Sequence, residues 1–288
     1  MKRCAFLSMD SLEDFFAYDN MLFAPLAKFA WQAEEVSWHK RNVDWSEYDV
    51  VVIRSTWDYQ SDPQAFLKCL EQINAATCLQ NSLKLVKWNL SKDYLKDIEN
   101  QGITIVPTRW FDVFDLAEVA DSFEHFNTEQ LVIKPLISAN ADHTYRLTRE
   151  LLLNQSDSLQ MTFTDRAFMV QPFLNSVIKE GEYSLFYFAG HYSHCILKMP
   201  KVGDFRVQEE HGGQLKLIEA SDEMLTQARH TLASLPDDAL YARIDLVRYE
   251  QEFALMEVEL IEPSLYFNMD ANSPQRFAEA FVETFGEG

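Results

Sequence analysis

Residues Tyr241–Tyr266 read YARIDLVRYEQEFALMEVELIEPSLY. Two apolar runs flank a polar turn at Glu250–Glu252, the pattern of a β-hairpin. Along a strand, side chains two apart share a face, so Glu257 and Glu259 point one way and Val258 and Leu260 the other. On the first strand Arg243 and Asp245 share a face, opposite Ile244 and Leu246. A three-residue turn at 250–252 sets Asp245 across from Glu257 and Arg243 across from Glu259. Three carboxylates then converge on one face of a sheet that is apolar behind. Like charges directly opposite are destabilising, and partly buried carboxylates are costly without something positive among them. A hard, oxygen-preferring cation such as Mg²⁺ resolves this, held by one or two carboxylates and substrate phosphates. The alternative is a solvated acidic edge hairpin in a chain that is acidic throughout.

Around this hairpin lies a chain of 288 residues, long enough for a large core and for two or three modules. Its 47% hydrophobic and 24% charged content is ordinary for a globular protein. With 45 acidic against 25 basic residues, the net charge of −20 argues against nucleic acid or an anionic membrane as partner. A small anionic ligand stays open, because a local basic pocket can sit in an acidic protein. Cys4, Cys69, Cys78 and Cys195 are scattered without a CxxC pair and read as reduced thiols of a cytoplasmic protein. The start, MKRCAFLSMD, reaches an acid too soon for a signal peptide, and no stretch approaches the ~20 apolar residues of a membrane span. Oligomeric state, a homodimer included, is left open.

Residues 1–85 read as an α/β module. Cys4–Met9 is a short strand, Asn20–Trp31 a helix, Val36–Trp38 a weak strand and Asp49–Arg54 a strong, fully apolar one. Asp62 and Pro63 give a helix start with cap and first-turn proline in order, running to about Asn74. Strands alternating with helices imply a parallel sheet, whose ligands gather at the carboxyl ends of strands. Asp49–Arg54 delivers Arg54, Ser55, Thr56, Trp57, Asp58 and Tyr59 to that edge. The set suits a carboxylate or amino-acid ligand, or equally a polar loop packed with aromatics.

In the second module, Ser91 is read as the cap of a helix ended by Gly102, with Lys92 in its first turn against the helix dipole. Ile103–Val106, Leu131–Lys134 and Phe168–Gln171 are strands, with a helix over Leu116–Phe126. Lys134 ends an apolar strand, where a buried lysine is rare unless paired. Pro172 interrupts the strand after Gln171 and frees backbone groups. Tyr183–Phe188 and His191–Lys198 form a hairpin turned at Ala189–Gly190. Gly203–Arg206 opens a strand closing on Gly212–Gly213, and helices cover Asp222–Ala233 and Pro274–Phe285. The eight glycines provide no Walker A loop or dinucleotide fingerprint, and there is no GxSxG elbow or HExxH.

What remains is an ordered series: Lys92, Lys134, Gln171–Leu174, Glu180–Glu182, Lys198, Arg206, Asp245, Glu257 and Glu259. Basic residues come first and metal-type carboxylates last, with a broken strand and an acid between. This order resembles the ATP-grasp superfamily, which builds a nucleotide site between two α+β subdomains without a P-loop. The resemblance covers essentially the whole chain. RSTWDY (54–59), WNLSKDYL (88–95), VIKPLISANADHTYRL (132–147) and MEVELIEPSLY (256–266) resemble more specifically the branch with bacterial glutathione synthetase and the cyclo-ligase that forms D-cycloserine. The fold class implied is α/β and α+β, with an N-terminal α/β domain at 1–85 before an ATP-grasp domain at 86–288. Within the latter, the resemblance implies a small lid subdomain near 105–170 and a metal and nucleotide subdomain at 171–288.

The same resemblance implies roles. Lys92 and Lys134 would touch the α- and β-phosphates of ATP. Gln171 to Leu174, Phe173 included, would be the hinge offering backbone groups to adenine, with a side-chain contact from Gln171. Glu182 would hold the ribose hydroxyls, with Glu180 as the alternate. Arg206 would face the γ-phosphate and an acyl-phosphate intermediate, with Lys198 assisting. Asp245, Glu257 and Glu259 would hold Mg²⁺, Mn²⁺ being the alternative, and Arg54 and Trp57 would contact the acceptor substrate. Two departures stand out. The family's usual asparagine at the last metal position is Glu259 here. The loop after Lys134 lacks the glycines that let backbone approach phosphate, so Ser138, Asn140 and backbone amides would have to serve.

The implied chemistry transfers the γ-phosphoryl group to a small carboxylate substrate, after which an amine attacks the acyl phosphate. Positioning and charge neutralisation suffice for that. No protein nucleophile is needed, in keeping with the lack of a Ser/His or Cys/His constellation. Two other readings stay open: an ATP-grasp kinase that phosphorylates without ligating, and a non-catalytic regulator that binds ATP or an amino acid.

Overall fold

The computed structural model describes residues 1–13, 15–138, 141–207, 209 and 212–288. β1 (Lys2–Ser8), β2 (Trp31–Ser37), β3 (Val50–Ser55) and β4 (Cys78–Gln80) form a parallel sheet in the order β2–β1–β3–β4. β3 is apolar for most of its length because both of its faces are covered. Val51 and Ile53 pack with Phe66, Leu70 and Ile73 of helix Pro63–Ala76, whose start Asp62 caps by accepting from the Ala65 N–H. Val50 and Val52 pack on the other face with Phe277 and Phe281 of helix Ser273–Phe285. The last helix thus seals the first sheet.

β5 (Arg109–Phe111), β6 (Leu131–Pro135), β7 (Tyr145–Leu147) and β8 (Phe168–Pro172) form an antiparallel sheet in the order β5–β8–β6–β7. Leu131 and Ile133 of β6 enter an aromatic core with Phe123, Phe163 and Phe168. Strand alternation therefore turns Val132 and Lys134 to the opposite face. β9 (Glu182–Phe188), β10 (His191–Met199), β11 (Gln214–Ile218), β12 (Tyr241–Tyr249) and β13 (Glu252–Glu259) make a third, antiparallel sheet in the order β11–β10–β9–β12–β13. Phe186, Phe188 and Tyr241 from this sheet share one core with Phe6 and Val52 of the first.

In the β12–β13 hairpin Asp245 pairs with Glu257 and Arg243 with Glu259, as expected, but by a different route. Tyr249 pairs with Glu252, so the turn holds two residues, and the register shifts between Asp245 and Leu246. The extra residue is Met256, a bulge rather than part of the turn.

Other expectations move too. The helix expected at Asn20–Trp31 is only Phe23–Ala27 after a 3₁₀ turn, and Trp31 opens β2. The helix expected after Ser91 starts at Tyr94, leaving Lys92 ahead of it with its N–H on the Leu136 carbonyl. A helix at Leu83–Asn89, capped by Ser82, was not expected. Ile103–Val106 makes an isolated bridge at Ile105 to Leu255 rather than a strand. Residues 203–207 lie in no strand, and β11 starts only at Gln214, beyond the expected end at Gly213. Among the described residues, no helix is long and apolar enough to cross a membrane.

Asn81 ties the first sheet to the hairpin. It is fully buried, donating from Nδ2 to the carbonyls of Tyr241 (2.9 Å) and Leu260 (2.7 Å) and accepting at Oδ1 from the Leu240 N–H (2.8 Å). Asn81→Leu would leave three buried backbone groups without partners, and we expect it to cost about 3 kcal/mol or more. Urea unfolding followed by tryptophan fluorescence checks this, and a loss below about 1 kcal/mol would contradict it.

Candidate active site

The Val132–Lys134 face of the β5–β8 sheet, the carboxylate face of β12–β13 and the loop after β3 enclose a cavity. Of the residues given roles from the sequence, all line it except Arg54, Asp245 and the alternate Glu180. Asn140 lies outside the described residues.

Four carboxylates in and just behind this cavity meet cations of the chain itself. Arg243 donates from Nη2 to Asp245 Oδ2 at 2.9 Å and also to Glu259. Lys198 bridges Glu182 Oε1 at 2.5 Å and Asp245 Oδ2 at 3.3 Å. Lys92 holds Glu257 at 2.6 Å and reaches the Ser138 carbonyl at 3.2 Å. Ser184 donates to the remaining oxygen of Asp245. Burial pushes the Asp245 carboxyl up, but Arg243 and Lys198 outweigh it and hold the group well below the usual carboxylate range. Burial likewise loses to Lys92 and Lys134 at Glu257, whose pKa is lowered. At Glu259, burial joined by Glu257 and Asp245 outweighs Arg243 and pushes the carboxyl up to about 7.

Lys134 differs from the other lysines. It is 9% exposed, and among the described residues no carboxylate lies within ion-pair distance of it. Its Nζ faces Met256 Sδ at 3.8 Å, the bulged residue of the hairpin. Burial above all lowers its pKa.

After β8, Pro172 has no N–H to give and the Phe173 N–H donates to the Gln130 carbonyl at 2.9 Å. The Phe173 carbonyl and the Leu174 N–H carry no protein hydrogen bond among the described residues. An acceptor and a donor side by side match the base-pairing edge of adenine. Glu182 lines the cavity, whereas its alternate Glu180 is exposed and faces Arg248 at 3.8 Å.

Residues 4–81 match the N-terminal domain of D-cycloserine synthetase DcsG, and residues 114–272 match the ATP-grasp domain of prokaryotic glutathione synthetase. The chain is 30% identical over 266 residues to the cycloserine biosynthesis protein DcsG of Streptomyces lavendulae, covering 87% of this chain and 88% of that protein. The chain belongs to the ATP-grasp family. It is a ligase of that family, whose members form C–N bonds at the expense of ATP. The crystal structure of D-cycloserine synthetase DcsG aligns with a TM-score of 0.88 at 28% identity, covering 98% of this chain and 99% of that one. A D-alanine–D-alanine ligase from Bacillus anthracis complexed with ATP shares the fold at a TM-score of 0.72 and 14% identity, covering 99% and 97%.

Within this ATP-grasp site four of the expectations meet partners from the chain itself. Arg54 was expected to touch substrate, but it is 2% exposed, pairs with Asp19 at 2.8 Å, donates to the Pro263 carbonyl at 2.9 Å and lies over the Tyr241 ring. Its tether to a buried acid keeps it behind the cavity wall. Arg206 lines the cavity, but its guanidinium folds back on Asp204 at 2.8 Å, and Arg243 is the arginine among the carboxylates. The Gln171 amide is engaged by donating to Thr108 Oγ1 at 2.9 Å. Among the described residues, no group of three or more His, Cys, Asp or Glu side chains stands ready to hold a metal ion. The expected trio is divided because Asp245 is turned into Arg243 and Lys198, while Glu257 and Glu259 edge the cavity.

Sequence reasoning placed Arg243 opposite Glu259 but gave it no role, although its sharing a face with Asp245 was the signal. Glu262 and Tyr59 also line the cavity. Nothing periodic marks Glu262, which lies beyond the end of β13.

Proposed function

We propose that the chain is an ATP- and Mg²⁺-dependent carboxylate–amine ligase that works through an acyl phosphate on a small amino-acid-like substrate. Lys134 carries this reading. A buried lysine with no carboxylate partner among the described residues, set on a lid sheet across from a carboxylate face, is organised for an anion from outside the chain.

In this reading Lys134 and Lys92 take phosphate oxygens, the Phe173 carbonyl and Leu174 N–H take adenine, and Glu182 takes the ribose hydroxyls. A carboxylate oxygen of the substrate attacks the γ-phosphorus and ADP leaves. An amine nitrogen then attacks the acyl carbon, phosphate leaves, and the nitrogen sheds a proton. Arg243, fixed between Asp245 and Glu259, stands where it can neutralise the activated carboxyl. The all-oxygen donor set fits a hard divalent cation. Glu257 and Glu259 would hold Mg²⁺, with Asp245 behind them, and when bound the ion neutralises charge on phosphate oxygens. The four free cysteines support a cytoplasmic setting.

Calorimetry with ATP, with and without Mg²⁺, tests the nucleotide part. We expect chelation of the metal to weaken ATP binding by about 10-fold or more. Metal-independent binding, or none by the folded protein, would overturn the proposal.

A further inference from the structure

Most carboxylates in and just behind the cavity have a cation of the chain within reach, as set out above for Glu182, Asp245, Glu257 and Glu259. Glu262 is the exception: among the described residues no lysine, arginine or histidine lies within ion-pair distance of it. It is nonetheless held firmly. The carbonyls of Glu262, Pro263 and Ser264 accept in turn from Trp57 Nε1 at 2.8 Å, Arg54 Nη2 at 2.9 Å and Arg243 Nη1 at 3.5 Å. Arg54 of β3, Trp57 from the loop after it and Arg243 of β12 thus clamp three successive peptide units and fix the backbone that carries the Glu262 side chain. Beside it stand Trp57, backed by Phe15 at 5.4 Å between ring centroids, and Tyr59, whose hydroxyl favours the charged form of the carboxyl.

We propose that Glu262, with Trp57 and Tyr59, forms the subsite for the ammonium group of an α-amino acid, so that the acid activated here is an amino acid rather than a simple carboxylate. This rests on the ligase reading above. An unpaired carboxylate beside aromatic faces is the usual recognition chemistry for an ammonium group. Arg243 spans the short gap between the two ends of such a substrate. It reaches the Ser264 carbonyl with one Nη and the carboxylates of the metal face with the other. A zwitterion bridging Arg243 and Glu262 places its carboxylate toward the phosphates and its ammonium toward the first sheet. Arg54 is then a positioning residue, acting through the Pro263 carbonyl. Burial, with Glu259 near, pushes the Glu262 carboxyl up to about 8, a shift that a bound cation would reverse.

The test measures ADP release from Mg·ATP with D- and L-amino acids, each paired with the acid lacking its amino group, such as alanine with propionate and valine with isovalerate. Wild type is expected to favour the amino acids. Glu262→Gln should raise KM for them by about 10- to 100-fold, with a smaller effect on kcat, and erase the preference over the paired acids. Glu262→Asp, which keeps the charge, should retain the preference. Mg·ATP binding by calorimetry should be the same in all three proteins, which separates failure of this subsite from failure of the ligase reading. Equal use of the paired acids by wild type, or a preference that survives Glu262→Gln, overturns the subsite. So does a lack of stimulation by any amino acid while Mg·ATP still binds. A weakened Mg·ATP complex in Glu262→Gln would assign the carboxylate to the metal instead.

Discussion

Replacing Lys134 by methionine is expected to leave the fold as stable as before, or more so, while weakening Mg·ATP binding by about 10- to 100-fold. The two effects have one cause. Lys134 holds a charge in a buried position with its Nζ on a thioether and, among the described residues, no carboxylate within ion-pair distance, and burial lowers its pKa. Methionine matches the stem, meets Met256 favourably and removes the desolvation cost. A bound triphosphate is the partner that justifies the lysine, so its loss should appear in binding alone. Thermal unfolding without ligand and ATP calorimetry on the same samples decide it. A variant that melts much earlier, or binds ATP normally, would show that Lys134 serves the fold.

Arg243 should behave in the opposite way. Its guanidinium is shared between Asp245 and Glu259 in a buried part of the cavity wall, and Asp245 is held ionised largely by it. Arg243→Met leaves those carboxylates with Lys198 as the remaining near cation. Removing one partner of a buried ion pair costs about 3–5 kcal/mol. We expect a loss of that size in urea unfolding, together with loss of turnover. Adding Glu259→Gln to Arg243→Met should recover part of the stability, because it removes one of the stranded charges. A single variant within about 1 kcal/mol of wild type would contradict the network.

The hairpin that anchors the fold was readable because a two-residue period is hard to disguise: Val258 and Leu260 had to be inside, and so Glu257 and Glu259 could not be. The bulge at Met256 was not readable, since a three-residue turn gives the same pairing at Asp245. The buried lysine on β6 was visible as a charge closing an apolar run. Its lack of a partner was not, because that depends on where Lys92 and Glu257 go. Arg54 misled for a related reason. Its place at the carboxyl end of β3 is where ligands gather, but Asp19, thirty-five residues earlier in the chain, claims its guanidinium. Local pattern carries strand faces and strand ends. It does not carry pairings between side chains far apart in sequence, and the active site is made mostly of those. The family resemblance supplied the order of the series, and the structure shows which members of it share the cavity.

Trapping with hydroxylamine tests the central claim most directly. The protein is incubated with Mg·ATP, a panel of amino acids and hydroxylamine, and the hydroxamate formed is measured alongside ADP. An acyl phosphate made in this cavity should yield hydroxamate in step with ADP for the acid that stimulates turnover, none without ATP, and much less with Lys134→Met at the same ATP concentration. ADP release that rises with an amino acid but leaves no hydroxamate, or a stable phosphorylated product in its place, would contradict it.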